Sequence, residues 1–206
     1  MKSVLLIILC LAAQPLWAAT LEAKLAEIQH RWAEIQYQLP EGKKENAFEE
    51  LAKEAEQFVA DYPDRAEPLI WQGIVLSTYA GAKGGLGALG LVKDARKSLE
   101  AALAIDAQAL NGSAYTSLGS LYYQVPGWPL SFGDDDKARQ YLQKALAINP
   151  DGLDANFFFG DFLLDQGEPE RARSYLQKVL EAPGRTGRDI ADTGRREEAR
   201  ERLVAK

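Results

Sequence analysis

Apolar positions recur three and four residues apart from Leu21 almost to the C-terminus, a spacing that predicts helix after helix. Leu21, Leu25, Ile28, Trp32 and Ile35 form the first stripe, and Leu39-Pro40-Glu41-Gly42 breaks it. Phe48, Leu51, Ala55, Phe58 and Val59 mark a second helix over Ala47–Tyr62, which Pro63 stops. No segment alternates apolar and polar residues with the period of a strand, so the expected class is all-α.

Downstream the stripes acquire a register. Tyr115-x2-Leu118-Gly119-x2-Tyr122 is followed by Ala138-x3-Leu142-x2-Ala145-Leu146-x3-Pro150, and Phe159-Gly160-x2-Leu163 by Ala172-x3-Leu176-x2-Val179-Leu180. Gly73, with Ala95, Leu99 and Ala102, repeats the arrangement upstream. Small and large residues fixed at helical spacing let two antiparallel helices nest and then stack on a copy of themselves. The predicted units are a degenerate hairpin over about 19–63, repeats at 66–106, 113–150 and 153–183, and a capping helix at 195–204. Two turns between paired helices are long: Gly81–Gly87, after a helix from Ala66 to about Tyr79, and Val125–Gly133. The stretch Arg185–Thr193 reads as a charged connection.

These hairpins resemble tetratricopeptide repeats, the third and fourth matching that family's small and large positions most closely. The resemblance implies an α-α superhelix of helical hairpins with a C-terminal capping helix, used to bind a protein or peptide. It also implies a concave groove lined by Phe157, Thr116, Ser120, Tyr123, Asp161 and Asp165, joined by Ile70, Ile74 and Thr78 from the preceding hairpin. Trp128, between Gly127 and Pro129, is expected either to plug the core, the reading preferred on burial grounds, or to touch a partner. The loop Phe132-Gly133-Asp134-Asp135-Asp136-Lys137-Ala138 is similar to the T-component family associated with periplasmic TRAP transporters. That second resemblance implies an exported helical-repeat protein working beside a solute-binding protein.

The N-terminus adds a destination. Met1-Lys2-Ser3, the apolar run Val4–Ala13 and the small residues around Ala18 and Ala19 read as a cleavable signal peptide over residues 1–18. The run is shorter than the roughly 20 residues a spanning helix needs. Leu9 before Cys10 is not the small residue a lipidated cysteine requires. The expected mature chain, residues 19–206, is periplasmic, is not inserted in the membrane, and lacks the chain's one cysteine. A net charge of −6, with no basic cluster, argues against nucleic acid.

Candidate chemistry reduces to structure. Gly85-Leu86-Gly87-Ala88-Leu89-Gly90 satisfies the dinucleotide string, but a helix precedes it where the motif needs a strand. Asp134-Asp135-Asp136 lacks the alternating ligands and distal Glu of a calcium loop and suits a helix N-terminus. Asn111-Gly112-Ser113 reads as a turn. His30 has no assignable nucleophile, and the acids scatter along solvated faces. No cofactor, metal or catalytic residue is expected, and the protein reads as a non-enzymatic scaffold. Arg185, Arg188, Arg195 and Arg196 are expected to form salt bridges to the preceding acidic hairpin in preference to an anion site.

Overall fold

A computed structural model describes residues 14–204 and, from Leu21, the burial of their side chains. The leader reading thus lies mostly outside the described residues. Within them the chain folds as α1 (Gln14–Gln38), α2 (Glu41–Asp61), α3 (Ala66–Lys83), α4 (Ala88–Ile105), α5 (Ala109–Gln124), α6 (Asp135–Ile148), α7 (Leu153–Asp165), α8 (Pro169–Glu181) and α9 (Asp189–Val204). Successive helices pair as hairpins, α1 with α2 through α7 with α8. The class is all-α, and the hairpins stack as an α-α superhelix.

The repeat register has a direct spatial meaning. A Cβ added at Gly73 would lie 2.5 Å from Leu99, one at Gly119 would lie 2.5 Å from Leu142, and one at Gly160 would lie 2.9 Å from Leu176. Each glycine of α3, α5 and α7 thus admits a leucine from its hairpin partner. Those leucines are fully buried or nearly so, as are Ala95, Ala138 and Ala172 one turn before them. Close backbone approach lets the leucine fill the interhelical gap at near-crystalline density.

Stacking generates two rows. The odd-numbered helices form an inner row in which α1 packs on α3, α3 on α5, α5 on α7 and α7 on α9. The even-numbered helices form the outer row, each also packing on the inner helix that follows it. The inner row then returns on itself, because α9 packs against α1. Gly194 makes that closure possible: a Cβ there would lie 2.3 Å from the Tyr37 ring of α1.

Several boundaries differ from the periodicity. Helix α2 begins at Glu41, directly after Pro40, because the polar first turns are good helix formers that bury little and so show no stripe. Helix α3 runs to Lys83, so Gly81 and Ala82 are helical and the turn shrinks to Gly84–Gly87, where Gly84 and Gly85 have φ near +60°. Helix α9 starts at Asp189, six residues before the expected cap. Its early turns are charged, but Ala191, Asp192 and Arg195 are buried there. Asn111 lies in a left-handed turn with Leu110 and Gly112, after which α5 continues as regular helix.

The second insert is anchored by a different aromatic from the one expected. Trp128 is 90% exposed and plugs nothing. Phe132 instead packs edge-on against Tyr122, with centroids 5.4 Å apart, beneath the Arg96 guanidinium at 4.3 Å. Backbone bonds from Gly133 to Pro126 and from Asp134 to Tyr122 close the loop's base and leave Trp128 at its tip. Asp134 caps α6 by accepting from the Lys137 amide at 3.0 Å.

The helix contact gives a measurable contrast. Gly119→Ala should cost roughly 1–3 kcal/mol, since the new Cβ also meets the Leu142 backbone nitrogen at 3.1 Å. Gly90→Ala, with nothing within 4 Å, should gain up to about 1 kcal/mol by relieving a helical glycine. Urea unfolding of the two variants measures both, and equal losses would contradict the assignment.

Candidate functional site

The inner row lines a half-open cavity of about 500 Å³. One side is aromatic. Trp32 of α1 stands edge-on to Tyr37 at 5.8 Å and to Trp71 of α3 at 5.9 Å. Trp32 Nε1 donates to Thr78 Oγ1 at 2.8 Å, and that hydroxyl donates to the Ile74 carbonyl. Helix α5 contributes small hydroxyl residues, Ser113, Thr116, Ser117 and Ser120, which keep the middle of the chamber open. Phe157 and Phe158 of α7 supply the far side, edge-on at 5.3 Å.

The floor is ionic. Asp154, at the start of α7, accepts from Arg185 Nη1 at 2.7 Å and from Arg195 Nε at 3.2 Å. Asp192, buried in α9, accepts from the Arg185 backbone amide at 2.7 Å, from its Nε at 2.8 Å and from its Nη2 at 2.6 Å. Arg195 also reaches Glu198 at 2.6 Å and lies over the rings of Phe157 and Phe158, at 4.4 and 4.7 Å. The network ties α9 and the connection before it to α7, which is why a charged segment packs as structure. Burial alone would raise the Asp154 carboxyl, but Arg185 and Arg195 outweigh it and hold the group at about 2. A third of the Asp154 side chain remains open.

Arg188 behaves differently from its neighbours. It lines the chamber with its Cζ 5.2 Å from the Trp71 ring centre. Its Nε is buried without an acceptor, as is Trp71 Nε1. Burial first, then the positive charge of Arg185, pulls this guanidinium below its ordinary value. Arg196 is turned away and donates to the Ala182 carbonyl at 3.0 Å. The expected salt bridges therefore form at Arg185 and Arg195, but not at Arg188 or Arg196.

Of the residues expected on the groove, Ile74, Thr78, Thr116, Ser120, Phe157 and Asp161 line this chamber. Ile70 does not: it is completely buried in the core between hairpins. Tyr123 also lies outside the lining. Its ring packs on Phe162 at 5.5 Å, and its hydroxyl donates to Asp161 at 2.7 Å, bracing that carboxylate together with Arg202. Burial, and after it the Asp161 charge, raises the Tyr123 phenol well above its usual range. Asp165 is exposed at the end of α7 beside Gln166, and Trp128 stands exposed on the second insert, outside the lining. Trp32, Tyr37, Trp71 and Asp154 escape sequence reasoning as lining residues: Trp32 and Tyr37 sit on a hairpin with a degenerate register, and Trp71 and Asp154 at positions the register leaves unspecified.

A second cavity, of about 510 Å³, lies between the two inserts. Leu86 and Leu89 face it from one side, Pro126 and Leu130 from the other, and Ser77, Ser120 and Gln124 border both cavities. The inserts thus frame one end of the chamber. Among the described residues no group of acidic, histidine and cysteine side chains could hold a metal ion, and no helix is long and apolar enough to cross a membrane.

The ion cluster predicts a pH dependence. A carboxyl at about 2 in the folded chain, against an ordinary 3.8, contributes stability that is complete above about pH 4 and lost as pH falls towards 2. Asp154→Asn should therefore lower stability by roughly 1–3 kcal/mol at neutral pH. The gap from the wild type should close as pH falls from about 4 to about 2, as read from urea midpoints across that range.

Comparison with known proteins places one stretch of the chain in a known repeat family. Among solved structures the crystal structure of MamA is similar to this chain, with 21% identity, a TM-score of 0.46, and coverage of 78% of this chain and 87% of that one. No curated protein matches the chain. The tetratricopeptide repeat family matches residues 130–186, from the second insert through α8. The glycine–leucine contact inside that match, Gly160 on Leu176, recurs upstream at Gly73 and Gly119, so the hairpins outside the matched residues are built on the same contact.

Proposed function

We propose that this protein is an exported, non-enzymatic binding scaffold of the bacterial cell envelope, with the chamber inside its inner row as the receptor for a segment of a partner protein. The observation that carries the reading is the concave inner face, where hydroxyls, aromatic rings and fixed charges converge on one space of about 500 Å³. Tetratricopeptide repeats are interaction scaffolds, which supports the class of function. Export rests on the Met1–Ala18 leader pattern. The side chains on the chamber wall are held by hydrogen bonds and ion pairs to one another, an arrangement suited to recognition.

A second reading has its own observation. The cavity framed by Leu86, Leu89, Pro126 and Leu130 suits an accessory component of a TRAP-type transporter that takes a small ligand or docks a solute-binding protein.

Ser117→Trp tests the chamber. Ser117 lines it from α5, so an indole there fills space without touching the glycine–leucine contacts. The variant should lose crosslinking to its envelope partner while retaining its helical circular dichroism. Arg173→Trp, on exposed α8, should keep the partner. Unchanged capture by Ser117→Trp would reject the chamber as the receptor. Wild-type protein confined to the cytoplasmic fraction would reject export.

A further inference from the structure

We infer that the chamber binds a carboxylate, the end of an organic acid or of a polypeptide, with Arg188 as its counter-ion and the Trp71 side as its apolar rest. The inference rests on the chamber being the binding site, and goes on to name the chemistry it takes.

The argument is one of matching charges. Five cations line the chamber, and among the described residues four are committed to carboxylates: Arg185 and Arg195 to Asp154, Arg202 to Asp161 and Lys44 to Glu41. The remaining lining carboxylate, Glu198, is held by Arg195. The Arg188 side chain makes no hydrogen bond or ion pair to any described residue, although it is part-buried in the chamber wall with its Nε shut off from solvent. Leaving a guanidinium in that condition is costly, whereas an anion placed against it recovers the loss.

The neighbouring group points the same way. Trp71 Nε1 is a second buried donor without an acceptor, on the residue whose ring lies 5.2 Å from the Arg188 guanidinium carbon. Two orphan donors on adjacent side chains call for an acceptor. A cation would meet the repulsion of Arg185 and Arg188, and a neutral apolar molecule would leave the guanidinium without a counter-charge. A planar carboxylate matches the guanidinium fork. The surroundings fix the rest of the molecule: Trp32, Trp71 and Ile74 offer apolar surface, and the space of about 500 Å³ takes a body of modest size.

Isothermal titration of the full mature chain tests this with paired probes that differ only in charge. The probes are 4-phenylbutyrate against 4-phenylbutanamide, and a pentapeptide ending in phenylalanine with a free against an amidated C-terminus. At least one free acid should bind tighter than its amide by on the order of tenfold or more. Preference confined to 4-phenylbutyrate identifies a small organic acid as the source, and preference confined to the free-ended peptide identifies a polypeptide terminus. Arg188→Met, which keeps an apolar stem against Trp71, should erase the preference. Its unliganded melting temperature should stay level or rise, since an unpaired charge is removed. Acid and amide binding alike, or a preference that survives Arg188→Met, overturns the carboxylate assignment. If no acid binds while Ser117→Trp still blocks partner capture, this inference fails alone. If Ser117→Trp also has no effect, the chamber reading fails with it.

Discussion

The approach of paired helices at a glycine–leucine contact is the constraint from which the rest of the molecule follows. Where Gly73 meets Leu99, Gly119 meets Leu142 and Gly160 meets Leu176, there is no room for even one more carbon. Each hairpin is thereby held at a similar separation, and similar units stack with a similar offset. The offset places α1, α3, α5, α7 and α9 on the inside of the curve. The chamber is a by-product of that curvature. Its lining is drawn from residues that the repeat register leaves unspecified.

Those unspecified positions carry an unusual load of charge. A chamber wall could have been sealed with apolar side chains at less desolvation cost. Here Asp154, Arg185, Asp192 and Arg195 take that place, and each is held by bonds of fixed direction. Directional bonds set the position of the connection between α8 and α9 more closely than apolar packing does. They also orient the wall from which Arg188 projects. A network that orders a segment and one that displays a charge are, in this molecule, the same network.

The register was legible because the Gly and Leu of each hairpin answer a steric demand that depends on local spacing alone. The lining was less legible because it depends on helical phase and on closure. Ile70 and Ile74 differ by one turn on α3, and only the second reaches the chamber, since the first is covered by the adjoining hairpin. Trp128 has the composition of a plug, but the loop's backbone bonds put it at the tip and give the buried place to Phe132. Helix α9 hid its first turns because Arg195 there is buried against Asp154 of α7, and Asp192 against Arg185 of the preceding connection. Pattern reading sees polarity at such positions and not the partner.

The contact of Gly194 with the Tyr37 ring has a consequence for how such a protein can change over time. An open solenoid gains or loses a repeat by duplication or deletion and keeps its fold, because each unit touches only its neighbours. A row that must bring its last helix back to its first has no such freedom. One added hairpin would carry α9 past α1, and one removed would leave it short. Closure thus converts an architecture of arbitrary length into one with a fixed count, and confines variation to the two inserts and to the side chains that face the chamber.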